Sequence, residues 1–313
     1  METLHQMLSP GFLLGNSLYT SVLIGFACPL VGVFLVLRRL VFMGVALPQI
    51  SSTGVAVALF LPFWLGVVPG SPHAAHTEHL LAFAGSTVFS LAAVLVLAFL
   101  ERRGRGQPEG RLGAVYVVAA AWSILLLAKN RYGEIGWLDL LKGEIITVDT
   151  ADLILTAGML VVVLAVLALF YKEILLVSFD RTMADTLDKN VAFWDVLLYL
   201  LIGLTVSMSV LSVGPLISFG FLLIPALTAH LFARSMRQLI VGASLIGGVV
   251  AFIGFGLAYQ WDWPIGPTDV ALLGFVYGVA WVIQWLVRFL MAATSMPRPA
   301  SNGSLTAGKR SIP

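Results

Sequence analysis

The stretch VFLVLRRLVFMGVALPQISSTGVA, residues 33–56, ends one apolar run, passes through two arginines and starts a second apolar run. An apolar run of about 20 residues is what a helix needs to cross a hydrocarbon layer roughly 30 Å thick. The whole chain of 313 residues has this character, with 59% hydrophobic residues, 11% charged residues and a mean hydropathy of +0.97. The sequence therefore predicts an all-α integral membrane protein, a polytopic bundle of about eight or nine transmembrane helices.

Candidate spans follow one another along almost the whole chain. The two that meet at Gly214-Pro215 are the least regular, and a helix, a re-entrant segment or a broken helix could lie there. Residues 1–291 are predicted to form the transmembrane domain, and residues 292–313, rich in Ser, Gly and Pro, a disordered cytoplasmic tail. The candidate spans are 12–37, 45–68, 80–100, 112–128, 151–171, 193–213, 214–233, 239–259 and 269–291.

The basic residues predict the orientation of the chain, because short cytoplasmic segments collect Lys and Arg. If the N-terminus lies outside, only Lys129, Arg131 and Lys142 of the 18 Lys and Arg residues fall on the outer side. We therefore expect a multi-pass protein of the cell membrane with its N-terminus outside and its C-terminus in the cytoplasm. The net charge of +2 reflects this bias, and no basic patch with interleaved aromatic residues indicates nucleic-acid binding.

Between two spans, residues 173–195 (EILLVSFDRTMADTLDKNVAFWD) form a polar cytoplasmic segment. Asp180 is suited to cap the start of a helix and Asn190 to stop it, which predicts about nine helical residues. The segment is either a loop helix packed on its own protein or a docking helix for a soluble partner. Its apolar residues recur every fourth position and share one face: Phe179, Met183 and Leu187.

Residues 212–235 (SVGPLISFGFLLIPALTAHLFARS) contain two proline interruptions. Discontinuous helices near the membrane midplane commonly build transport pathways. The carbonyls that lose a donor at Pro215 and Pro225 need partners such as Ser218, Thr228 or water.

Histidines occur at two places that could meet a metal ion. His230 lies within a span, where it is either a pathway residue or a group that reaches the membrane interface or caps the helix. Residues 71–80 (SPHAAHTEHL) are predicted to form an outer loop, which is either an ordinary polar loop or a weak metal-collecting loop. Imidazoles and a carboxylate suit zinc, although the spacing matches no specific signature. The candidate ligands in this loop are His73, His76, Glu78 and His79.

Polar residues gather where the second apolar run begins, just after Arg38-Arg39. There Pro48 is predicted to lie in the first turn of a helix, where proline is tolerated. Backbone groups that lack a hydrogen-bond partner near Pro48 can bind the hydroxyls of three neighbouring residues, Ser51, Ser52 and Thr53.

Three of these segments together resemble the membrane permeases of the zinc, manganese and iron class of ATP-binding cassette importers. They are residues 33–56, 175–187 and 213–235, and the turn at 266–268 before the last span is similar as well. The resemblance covers residues 12–290. It implies a homodimeric permease in the lipid bilayer, paired with cytoplasmic ATPase subunits and fed by an extracytoplasmic metal-binding protein.

The resemblance also implies roles for individual residues. The chain would bind no cofactor and hydrolyse no ATP itself. Its segment GSLTAGKR at 303–310 approaches the pattern of a phosphate-binding loop but does not complete it. A divalent metal would be its substrate. The pathway candidates are Gln49, Ser51, Ser52, Pro225 and His230. The segment that couples to the ATPase would comprise Ser178, Phe179, Asp180, Met183, Ala184 and Leu187.

One position pair departs from the family pattern. The glycine that matches Gly44 is usually followed by an aspartate and, four residues later, by a histidine, but this chain has Val45 and Gln49. Valine cannot bind a metal ion, and an amide oxygen is a weak neutral ligand. The metal could be compensated elsewhere, it could travel as a chelate, or the chain could pair with a nonidentical subunit that carries the ligands.

Two other classes of function remain open. An ion-coupled secondary transporter would need buried ionisable residues, whereas Asp152, Asp195 and Asp269 fall at predicted span boundaries. An intramembrane hydrolase could pair Ser244 with His230 as nucleophile and base. The small residues around Ser244 are better explained by close helix packing.

Overall fold

The computed structural model describes residues 14–64, 74–102, 108–129 and 148–294, and these residues form helices joined by short turns. Eight of the helices are long and apolar enough to span a membrane, which confirms the predicted all-α polytopic bundle. The helices are α1 Gly15–Leu37, α2 Val41–Trp64, α3 Ala74–Arg102, α4 Pro108–Lys129, α5 Thr150–Leu169, α6 Tyr171–Phe179, α7 Arg181–Thr186, α8 Val191–Phe232, α9 Met236–Trp261 and α10 Ile265–Thr294.

Helix α8 consists of two arms that meet at Gly214. This glycine has φ 82° and ψ 167°, a non-helical conformation that side chains with a Cβ rarely adopt. Near the start of α8, Asp195 binds Arg38 at the end of α1. Near its other end, Ala229 shares a buried cluster with Val33 of α1. A straight helix would separate these two ends by roughly 50 Å, so the arms 191–213 and 215–232 run in opposite directions.

The reversal at Gly214 sets the direction of every later helix. Helix α8 begins and ends at the end of the bundle that holds Arg38, which we call the Arg38 face. The opposite end, the Asn16 face, joins the starts of α1 and α5 through a hydrogen bond from Asn16 Nδ2 to Thr150 Oγ1 of 3.2 Å. There Leu18 and Phe255 share a buried cluster on which Ile265 packs. Helix α10 therefore runs from the Asn16 face to the Arg38 face.

Helix α1 lies at the centre of the bundle and packs on both α8 and α9. Its close approach to the second arm depends on Gly32, because a Cβ at this position would overlap the carbonyl oxygen of Leu222. Small residues let membrane helices approach closely enough for backbone contact. Gly32 therefore fixes the second arm against the centre of the bundle.

Two predicted boundaries were wrong. Helix α3 begins at Ala74, so most of the supposed outer loop at 71–80 is helical backbone. Helix α2 begins at Val41, which places Pro48 inside the helix and not in its first turn. Helices extend past the apolar run because intrahelical hydrogen bonds continue to satisfy the backbone where polar residues follow.

Candidate functional site

The polar stretch of α2 presents Val45 and Gln49 on one face. Both residues are half-buried, whereas the three between them, including Pro48, are buried. The second arm of α8 lies beside this part of α2, since a Cβ at Gly44 would come within 3.2 Å of Leu223 Cδ1. The structure thus brings the predicted pathway segments of α2 and α8 together. The face that Val45 and Gln49 share is partly open in the single protomer.

Buried hydroxyl groups connect the middle of α2 to α3 and to the first arm of α8. Ser51 Oγ lies 2.6 Å from Ser86 Oγ, and Ser86 Oγ lies 2.8 Å from Ser207 Oγ. Thr87 Oγ1 adds a contact of 3.0 Å to Ser207 Oγ. All three serines are fully buried. Inside a membrane such contacts hold helices together, because the hydroxyls would otherwise lie unpaired in an apolar medium.

Thr53 and Ser52, the other hydroxyl residues of this stretch, differ in their contacts. Thr53 Oγ1 lies 2.9 Å from the Gln49 carbonyl in its own helix and 2.8 Å from the Ala119 carbonyl in α4. Ser52 Oγ is buried without a hydrogen-bond partner among the described residues. The expected bond from a hydroxyl to the backbone is therefore present at Thr53 and absent at Ser52.

Replacing Ser86 with alanine should destabilise the bundle, because Ser51 and Ser207 would each lose a buried partner. Interhelical hydrogen bonds of this kind contribute about 0.6 to 1.7 kcal/mol in membrane proteins. We expect a lower thermal unfolding midpoint of the purified protein in detergent. Ser123→Ala is the matched control, because in the described part of the chain Ser123 Oγ donates to the Ala120 carbonyl of its own helix and not to another helix. Equal midpoints for the two variants would contradict a role for Ser86 between helices.

The second arm holds Pro225 buried and His230 exposed in its last turn. Ser218 Oγ donates to the Gly214 carbonyl at 2.8 Å, and Thr228 Oγ1 donates to the Ile224 carbonyl at 2.7 Å. These hydroxyls therefore bind carbonyls one turn back in the helix. They do not bind the Leu211 and Phe221 carbonyls that the two prolines leave without a donor.

Of the candidate metal ligands, the structure describes the side chain of His230 and not those of the predicted loop. Within the described ranges, no group of three or more His, Cys, Asp or Glu side chains could hold a metal ion. His73, and the side chains of His76, Glu78 and His79, lie outside the residues that the structure describes. A metal-collecting role for these four residues stays a prediction.

The segment 173–195, which was predicted to be cytoplasmic, contains a short capped helix, α7, at the Arg38 face. Asp180 Oδ1 accepts a hydrogen bond of 2.9 Å from the Met183 amide, as its predicted capping role requires. The helix ends earlier than predicted, since it has 6 residues and Asp188 adopts a left-handed conformation with φ 54°. Asn190 does not stop α7 but caps the start of α8, where its Oδ1 accepts from the Phe193 amide at 3.1 Å.

One side of the α6 to α7 segment is apolar and open to solvent. Phe179, Met183 and Leu187 are 61%, 53% and 53% exposed, whereas Ala184 is fully buried. Exposed apolar side chains at the polar end of a membrane bundle are typical of a protein interaction surface. We call these three side chains the docking face.

Two acids that were predicted to lie at span boundaries are buried. Asp195 is 8% exposed and forms an ion pair of 2.6 Å with Arg38. Asp269 is fully buried one turn inside α10, where its Oδ2 lies 3.4 Å from Ser21 Oγ and its Oδ1 has no hydrogen-bond partner in the described part of the chain. The prediction that both acids lie near the ends of spans agrees with their place as the fifth residue of α8 and of α10, but it did not include their burial. It missed the partner of Asp195, although the arginine pair at residues 38–39 was a visible signal.

A bundle of membrane-spanning helices with a reversed, proline-interrupted helix and a capped helix exposed at one face has the architecture of a membrane transport permease. The chain matches the ABC 3 transport family over residues 12–284, and it belongs to this family. The resemblance drawn from the three segments of the sequence is thereby confirmed.

Relatives with similar sequences cover most of this chain. The manganese transport system membrane protein MntC of Listeria monocytogenes is 28% identical over 86% of this chain and 90% of its own length. The manganese import system permease protein ScaB of Streptococcus gordonii is 27% identical over 88% of this chain and 93% of its own length. The solved structure of PsaBC from Streptococcus pneumoniae, in complex with Fab, has a TM-score of 0.76 at 25% identity and covers 93% of this chain and 99% of that chain.

Proposed function

We propose that this chain is the permease subunit of an ATP-binding cassette importer for manganese or a closely related divalent metal, with zinc as the first competitor. Manganese is supported as the substrate by two relatives that are named as manganese transport and import permeases. Both align with this chain over nearly their full length. The transport pathway would lie along Val45 and Gln49 of α2 and the second arm of α8. Two copies of the chain would enclose it.

The docking face supports the proposed pairing with a cytoplasmic ATPase. Phe179 ends α6, Met183 lies in the capped helix α7 and Leu187 follows the last residue of α7, so a partner could bind a preformed element. The Arg38 face would then be cytoplasmic, in agreement with the distribution of Lys and Arg. The chain would begin outside the cell, where a metal-binding protein could deliver the substrate to the Asn16 face.

Val45 and Gln49 stand where the family pattern has metal ligands. This difference affects how the metal would cross the membrane. A divalent cation needs charge compensation inside the membrane, and neither residue carries charge. A metal that keeps ligands of its own, or one compensated by His230 or by the histidines near residue 76, fits this chain better than a bare ion held by α2. Pairing with a nonidentical subunit is a further source of ligands.

Removal of the gene should lower cellular manganese when manganese is scarce. We expect the manganese content, measured by mass spectrometry of washed cells, to fall several-fold and to recover when the gene is restored. The zinc and iron contents of the same cells are the internal control. Unchanged manganese with a selective loss of zinc or iron would reassign the substrate, and unchanged content of all three would contradict a metal importer.

A further inference from the structure

Arg38, at the end of α1, joins three elements at the Arg38 face. Its Nη1 lies 2.6 Å from Asp195 Oδ1 in the first arm of α8, and its Nε donates to Ser178 Oγ in α6 at 3.0 Å. The guanidinium also lies over the ring of Tyr199, 5.7 Å from its centroid. The side chain is only 5% exposed. A buried arginine held in this way cannot move without carrying its partners or breaking a charged contact.

The same carboxylate also reaches the docking segment. Arg181, the first residue of α7, has its Nη2 3.5 Å from Asp195 Oδ2, while Arg38 occupies Oδ1. The Arg181 side chain is 51% exposed, and the Asp195 side chain is 12% exposed. Asp195 therefore lies between a buried cation from α1 and a solvent-facing cation from α7.

Arg38 lies at the turn that leads into α2. Arg39 adopts a left-handed conformation with φ 58°, and α2 begins at Val41. The Arg39 amide donates to the Val36 carbonyl at 3.1 Å and the Leu40 amide to the Leu35 carbonyl at 2.9 Å, so the turn is closely tied to the end of α1. A displacement of Arg38 would be passed to the start of α2, one turn before Val45.

We propose that Asp195, bridging Arg181 and Arg38, is the link through which movement of the docking helix α7 reaches the turn between α1 and α2. The three residues are positioning residues for transport and do not contact the substrate. The proposal rests on the proposed function, because it requires an ATPase that moves α7. Packed helices with two discrete arrangements can pass on such a movement, whereas a flexible loop would absorb it.

The decisive variant is Arg181→Gln, because Arg181 is half-exposed and its loss should leave the fold intact. In the purified complex with the ATPase, reconstituted in vesicles with manganese as the probe, we expect unchanged assembly and continued ATP hydrolysis. The manganese transported per ATP hydrolysed should fall by about two- to fivefold, the range expected for a half-exposed ion pair. Arg181→Lys should restore the ratio, and Arg237→Gln, which removes an exposed arginine at the same face, should leave it unchanged.

The outcomes test the link through Asp195 separately from the proposed function. A normal transport ratio in Arg181→Gln would overturn the link, and so would a loss of assembly, which would make Arg181 a docking residue. A purely structural role for the ion pair would change stability without changing the transport ratio. If the wild-type complex shows no ATP-dependent manganese uptake, the proposed function itself fails, whatever the variant does.

Discussion

Uptake should be almost lost when Phe179 and Met183 are both replaced by aspartate. The docking face is apolar and exposed, and a charge placed there would have to be buried against the ATPase without a partner. Loss of a central interface side chain commonly costs about 2 kcal/mol or more, which corresponds to a roughly 30-fold weaker complex. We expect the variant to insert into membranes normally but to fail to co-purify with the ATPase and to lose metal uptake.

The neighbouring residue provides a control for this experiment. Thr182→Asp adds one of the two negative charges to α7 next to Met183 but outside the docking face, and it should retain assembly and uptake. Aspartates at 179 and 183 that left ATP-driven uptake at the wild-type rate would show that the docking face does not bind the ATPase. Loss of the variant from the membrane would point to a structural role for these side chains.

Gly32→Ala should destabilise the protein strongly, against the usual effect of alanine in a helix. Alanine normally stabilises a helix by about 1 kcal/mol relative to glycine. At Gly32 the added Cβ would overlap the backbone carbonyl of Leu222, which cannot rotate away. Overpacking typically costs about 1 to 3 kcal/mol, and a backbone obstacle places this variant at the upper end or beyond. We expect a sharp fall in the thermal unfolding midpoint in detergent.

Gly158→Ala isolates the contribution of this contact. A Cβ at Gly158 in α5 would meet nothing within 4 Å, so this variant should be as stable as the parent protein or slightly more stable. If Gly32→Ala and Gly158→Ala shifted the midpoint equally, the close contact between α1 and the second arm would be refuted.

The local features of this protein could be predicted from its sequence. Apolar runs marked the spans, and the Asp180 cap was visible because an aspartate preceding a helix binds the amide three residues on. The shared face of Phe179, Met183 and Leu187 followed from their spacing, whereas the structure shows that this face is exposed. These features depend on residues close together in the chain, and sequence patterns report such contacts well.

Features that depend on distant contacts could not be predicted. Gly214 and Pro215 indicated an interruption, but the reversal of α8 is established by contacts of both of its ends with α1. The pairing of Arg38 with Asp195 joins residues 157 positions apart. Asn190 was misjudged because asparagine serves equally well at the end of one helix and at the start of the next.

Manganese uptake into vesicles that contain this chain together with its ATPase tests most directly whether the chain is an ATP-driven metal permease. We expect accumulation of radioactive manganese that requires ATP in the compartment that the ATPase faces, stops when the ATPase is omitted and does not respond to a proton or sodium gradient. Accumulation by this chain alone, driven by an ion gradient and indifferent to ATP, would identify an ion-coupled carrier and refute the proposed function.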